Sequence, residues 1–266
     1  MTKRTYAFIT FFLILVSSFF TSCYFDRYTD TNGGVVISFD DRYMSNWVWT
    51  DSVLSVYDWK ATFFVHGSQN LTSSELNSLL EFKTYGHEIA GHGFAHLNAP
   101  NYVAANGMKA YVDIEIIPMI NIMKSQGLEP LTFAYPEGAH TEEIDDTLLT
   151  YFSILRLARN NRYSPEEQIC YYENSPVVNG LGIEGVATQD LIDYFLSLLE
   201  YARNNNKVMI FYAHRAMAEV TGVNQTDILL LKAVCEYVRA NKMRFYTLSE
   251  LSEKEPSKII HYNQSR

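Results

Sequence analysis

The sequence predicts an α/β protein on a mainly parallel sheet, closed or nearly closed into a barrel. Two observations predict it. Short apolar runs alternate with helical patterns along most of the chain, which is how strand–helix–strand units read. No stretch after residue 32 has linker composition or an internal repeat, so one domain absorbs the whole alternation.

The elements are taken in chain order. Residues 35–39 and 61–65 read as strands. A helix over 73–84 comes next, opened by the capping-box spacing Thr72-x-x-Glu75. Residues 87–90 form a third strand. A long helix spans about 106–126 and stops at Gly127. A fourth strand over 131–135 precedes a helix at 142–150, and a fifth strand covers 151–155. Residues 160–186, with Pro165, Pro176, Gly180, Gly182 and Gly185, read as loop. The rest is a helix over 188–204, a buried strand over 207–212, a helix over 227–240 and a last strand over 244–246. Thr247-x-x-Glu250 then opens a short helix, and the strands number about seven.

Chemistry-bearing residues fall after strands. Asp40 and Asp41 end the first, and His92 and His96 come after the third. The segment 135–138 ends the fourth, and His214 comes after the 207–212 strand. In a barrel of parallel strands those ends share one rim. One carboxylate and two imidazoles make a three-ligand site for a divalent ion with open positions. A second carboxylate beside them can serve as a general base. Taken singly, Asp-Asp after a strand is an ordinary turn, and paired His at i and i+4 are ordinary surface residues. His66 and His140 fall near the same rim and read as solvated loop residues, His87 as structural. Trp47 and Trp49 could line a sugar groove, whereas Trp59 reads as core.

Composition narrows the partners. Hydrophobic residues make up 47% and charged residues 19%, which is globular. The net charge of −9 comes without a basic cluster, which argues against nucleic acid. Cys170 and Cys235 lack metal-knot spacing and read as two buried thiols, with a bridge between them the alternative.

Residues 1–23 read as a targeting segment. Lys3 and Arg4 precede an apolar run, and Phe20-Thr21-Ser22-Cys23 resembles a bacterial lipoprotein signal in which Cys23 is lipidated. An uncleaved anchor helix is the other reading, since residues 5–25 carry no charge. Either way the domain is expected at the cell envelope, membrane-tethered and outside the cytoplasm. Residues 24–32 would be a spacer and 33–266 the functional domain, expected to be a monomer.

Four motifs in order over residues 33–250 resemble the polysaccharide deacetylase family, the carbohydrate esterase 4 type with a NodB homology domain. Ser38-Phe39-Asp40-Asp41 is similar to its Thr-Phe-Asp-Asp-Gly, and His92-x-x-x-His96 to its His-(Ser/Thr)-x-x-His. Residues 133–138 are similar to its Phe-Arg-x-Pro-Tyr-Gly, and residues 211–214 to its late strand ending in a catalytic His. The resemblance implies a distorted (β/α)7 barrel and a hydrolase that removes N-acetyl, or O-acetyl, groups from a carbohydrate. It implies Asp40 as base and His214 as general acid. Asp41, His92 and His96 would hold a divalent metal, zinc first, with cobalt, nickel or iron also suited. The backbone N–H of Glu137 would serve the oxyanion hole.

The chain departs from the pattern at Arg42 for Gly, Gly93 for Ser or Thr, Glu137 for Tyr, and Ala134 for an Arg that orients the base. The family's Asp-containing fourth motif has no counterpart that can be placed. Arg156 is the candidate substitute partner for Asp40. These departures leave a second reading, a carbohydrate-binding lipoprotein on the same scaffold with weak or no catalysis. Hydrolysis of a non-sugar amide is a third.

Overall fold

The computed structural model describes residues 33–252. The leader, Cys23, the spacer and the last residues of the expected domain lie outside the described residues. In chain order the elements begin with β1 (Gly34–Phe39), α1 (Met44–Leu54), β2 (Thr62–Val65), α2 (Ser73–Thr84), β3 (Glu88–Gly91) and α3 (Ala99–Asn106). Next come α4 (Met108–Tyr111), a π-helical turn (Val112–Ile116) and α5 (Ile117–Ser125), then β4 (Thr132–Ala134), α6 (Glu142–Leu148), β5 (Ile154–Arg159) and β6 (Val177–Gly182). The remainder is α7 (Gln189–Asn204), β7 (Val208–Ala213), β8 (Arg215–Met217), β9 (Gln225–Asp227), α8 (Ile228–Ala240), β10 (Arg244–Tyr246) and α9 (Ser249–Ser252).

Strands β1 to β7 are parallel and adjacent in sequence order, and β7 pairs back onto β1 from Gly34↔Val208 to Phe39↔Ala213. That closes a seven-stranded barrel, the fold class expected. The distortion lies at β1. Its last residues, Ser38 and Phe39, pair with β2, whereas Gly34 to Val36 pair with β10. β10 therefore fills the gap that β2 leaves at the barrel floor. Buried Glu88 ties that floor together, accepting from Thr62, Thr132 and the Ser249 N–H at 2.7–3.0 Å.

Period-two alternation sorts the strands into two apolar layers. Val36, Phe64, Ala90, Ala134, Ile154, Val178, Val208 and Ile210 pack together as the barrel filling. Their neighbours Val35, Ile37, Phe39, Phe63, Ile89, Phe133, Leu155, Met209 and Phe211 pack in the helix-facing core. Carried two or four residues further, the same alternation aims Asp40, His66, His92, Arg156 and His214 at one rim. The helices start where side chains cap them. Thr72 forms the full capping box with Glu75, and Thr141, Thr188 and Asp227 accept from N–H groups of the first turns of α6, α7 and α8.

Several expectations need correction. Residues 160–186 are not all loop: β6 lies within them and completes the barrel. Glycines at 180 and 182 made it read as loop, but Gly180 is there because a Cβ would stand 2.9 Å from Arg156 Cδ. The fifth strand starts at Ile154 instead of residue 151. Helices α1 and α3 were not foreseen. The single helix over 106–126 is interrupted by the π-turn. Pro118 has no N–H to give Ile114, and Ile117 N–H bonds back five residues to Val112 O. Cys170 and Cys235 are buried free thiols, not a bridge. Among the described residues, no helix is long and apolar enough to cross a membrane.

Candidate active site

Asp41 sits in a sharp turn after β1, with φ of 76°, which lifts its carboxylate over the barrel mouth. His92 comes directly after β3 and is buried, and His96 (φ 59°) closes the short loop beyond it. Asp41 Oδ1 lies 3.5 Å from His92 Nε2 and 3.3 Å from His96 Nε2. Donor atoms from these three residues all fall within 4.8 Å of one another. His92 Nδ1 is 2.8 Å from Ala134 O, and a carbonyl can only accept, so Nδ1 carries the proton and Nε2 keeps its lone pair. Asp41 is held far below the usual carboxylate range. Its burial would raise it, but the imidazoles of His92, His96 and His214 outweigh that.

This donor set fits a divalent ion. Tetrahedral bonds of about 2.0–2.2 Å require donor atoms roughly 3.3–3.6 Å apart. The two Asp41–His spacings fall in that range, and two imidazoles with one carboxylate suit zinc and its first-row neighbours.

Asp40 is buried beside the trio. Arg156, fully buried on β5, donates from Nη2 to both Asp40 oxygens. The guanidinium also stacks over Phe64 and Tyr212, 5.2 and 4.9 Å from their ring centres. Ala134 and Arg156 are register partners on β4 and β5. Arg156 thus stands beside position 134, at the same height on the next strand, and reaches Asp40 from there.

His214 Nε2 is 4.0 Å from Asp41 Oδ2, and its Nδ1 donates to Glu184 Oε1. Trp47 Nε1 bonds His214 O at 2.8 Å. Burial alone would lower the imidazole pKa, but Glu184, Asp40 and Asp41 raise it above 6.5. Glu184 is the residue that sequence reasoning missed. It lies two residues past β6, so reading β6 as loop hid it.

Glu137 has φ of 60° in the turn after β4, and its side chain accepts from Asn98 at 2.7 Å. Gly138 is next, with φ of 65°, and lies against Ala158, leaving no room for a Cβ. Beside Glu184 an open cleft of about 600 Å³ is lined by Asn160, Asn161, Arg162 and Gly182.

The other rim residues also differ from expectation. His66 is half-buried with its ring 5.2 Å from that of His96, and burial pushes its pKa down to about 4. His140 is paired with Asp145, which also accepts from Tyr135. Neither is a free loop histidine. Trp47 is fully buried and does not line a groove, and Trp49 packs partly against the core. Trp59 is core, as read. His87 is structural, bonded to Ala61 N–H and Asp51.

Residues 27–151 match the family model described as polysaccharide deacetylase. No curated protein sequence matches. Among solved structures, the chitin deacetylase from the fungal pathogen Colletotrichum lindemuthianum aligns with a TM-score of 0.55 at 15% identity, over 88% of this chain and 95% of that one. A mutant of peptidoglycan deacetylase PdaC from Bacillus subtilis aligns with 0.54 at 15% identity, over 83% and 90%. The catalytic domain of a peptidoglycan N-acetylglucosamine deacetylase from Eubacterium rectale gives 0.53 at 17%, over 82% and 90%. At these identities the structures establish the shared fold. The family match over residues 27–151 and the barrel shared with these deacetylase structures together support a deacetylase-like hydrolase.

Proposed function

We propose that this protein is a metal-dependent hydrolase that removes N-acetyl groups from a carbohydrate polymer or oligomer, with O-acetyl esters as the alternative bond. It acts at the cell envelope, tethered through lipidated Cys23. The observation that carries the reading is the Asp41–His92–His96 donor set at ion-binding spacing, with a carboxylate and an imidazole on either side of it.

Asp41, His92 and His96 would hold the ion, zinc first. When bound, it supplies Lewis-acid polarisation and makes a water acidic at neutral pH. Asp40 accepts the proton of the attacking water. The paired Arg156 fixes the carboxylate's orientation and keeps it from swinging into the ion site. The backbone N–H of Glu137 donates to the oxygen that gains charge as the acetyl carbon becomes tetrahedral. His214 then donates from Nε2 to the leaving nitrogen, while Glu184 holds Nδ1–H and sets the tautomer. Water adds to the acetyl carbon, the carbon–nitrogen bond breaks, and acetate and the amino sugar leave.

The test is acetate release from N-acetylglucosamine oligomers and from acetylated xylan, with bound metal quantified, for wild type and for His92→Ala/His96→Ala. Metal-dependent release from either substrate supports the reading and names the bond. Bound metal without acetate from either substrate overturns the carbohydrate assignment. A protein that binds no metal overturns the ion site.

A further inference from the structure

The loop that carries both histidine ligands lacks its own side-chain support, because position 93 is glycine. The structure supplies that support from elsewhere. Glu115, fully buried in the π-helical turn between α4 and α5, accepts from the backbone N–H of Ala95 at 2.8 Å and of Leu97 at 2.9 Å. Its own carbonyl accepts from Phe94 N–H at 3.2 Å. Those three amides bracket His96. Glu115 also explains Gly93, whose φ is +87° and whose added Cβ would fall 2.2 Å from Glu115 Oε1. The carboxylate stands where a side chain at 93 would stand.

The π-turn is what puts it there. A π-turn adds one residue to a helix and rotates the downstream turns by about a third of a turn, and such turns concentrate at functional sites. Pro118, with no N–H to give Ile114, forces it. Glu115 bonds the loop backbone on both sides of His96, so it acts on an ion site through the position of that loop and its own charge beside His96.

We infer that Glu115 is a positioning residue for the ion site: its carboxylate holds the 92–97 loop so that His96 Nε2 stays in reach of the ion bound by Asp41 and His92. This rests on the metal-site reading of the proposed function. Residues that orient ligands from behind typically change metal affinity by about 10–100-fold when removed.

The experiment is calorimetric titration of zinc into the metal-stripped full-length chain, for wild type, Glu115→Gln, Glu115→Ala and Asp41→Ala. Thermal unfolding of each metal-free form is measured in parallel. Glu115→Ala should weaken zinc by about 10–100-fold. Glu115→Gln should lose less, because one amide oxygen still accepts from one N–H. Should Glu115→Ala fail to fold, the near-isosteric Glu115→Gln carries the test alone. Zinc affinity within about twofold of wild type in Glu115→Gln, with only the metal-free stability lowered, would make Glu115 an ordinary core residue and overturn the inference while leaving the ion site standing. A wild type that binds zinc no better than Asp41→Ala overturns the ion site, and this inference with it.

Discussion

Asp40 and Arg156 are the residues on which the proposed chemistry turns. A buried carboxylate is costly unless paired, and here the pairing guanidinium is itself buried and stacked between two aromatic rings. Asp40→Asn keeps the shape and one oxygen that accepts from Arg156, but cannot take a proton. Acetate release should fall by about 10²–10⁴-fold with zinc binding unchanged, and parallel activity and metal assays check both halves. Arg156→Leu should destabilise the protein by about 3–5 kcal/mol in urea unfolding, because it strands a charge inside the barrel. The double variant Asp40→Asn/Arg156→Leu should cost less than the two single changes added, as expected for residues that act as a pair. If the costs simply add, the two side chains are not coupled. The sequence offered Arg156 as a partner only because no cation preceded the 135–138 segment. That β4 and β5 stand in the register that puts 134 and 156 side by side is visible only in the folded barrel.

Among the elements, α1 links the site to the barrel floor, and nothing in its sequence announced it. Its apolar residues show no clear stripe, and Tyr43 precedes it without a side-chain cap. Yet Trp47 bonds the His214 carbonyl, and Asp51 receives Trp59 Nε1 at 3.0 Å and lies 3.1 Å from His87 Nε2. Burial would raise the Asp51 pKa, but the hydrogen bonds from His87 and Trp59 bring it below 3.8. A carboxylate depressed on folding adds stability above its unfolded pKa, and that stability fades as pH falls through the folded value. Asp51→Asn should therefore lower the urea midpoint at pH 7, and the gap to wild type should narrow below about pH 3.8. A gap that is constant across that range would mean the charge on Asp51 contributes nothing. By contrast, α2 was readable from its capping box, and Thr72→Ala should cost about 1 kcal/mol by the same assay. Strong local signals such as this cap survive folding. Elements such as α1 and β6, set by long-range partners, left little trace in their own residues.

For the molecule as a whole, the question is how a closed barrel couples an ion to stability. The donor set joins the turn after β1 to the loop after β3, with β2 between them. An ion that binds only this folded arrangement stabilises the entire barrel by mass action. At a hundredfold excess over its dissociation constant that is about 2.7 kcal/mol, or roughly 5–10 °C in melting temperature for a domain of this size. Zinc should raise the melting temperature by that amount, and a chelator should reverse it. Asp41→Ala and His92→Ala should abolish the shift. The proposed roles of ligand and acid part at His214, whose Nε2 is 4.0 Å from Asp41 and whose Nδ1 is committed to Glu184. His214→Ala should keep most of the zinc-induced shift while losing acetate release. If it loses the shift as well, His214 is a fourth ligand, and the proton for the leaving group must come from another side chain on the rim.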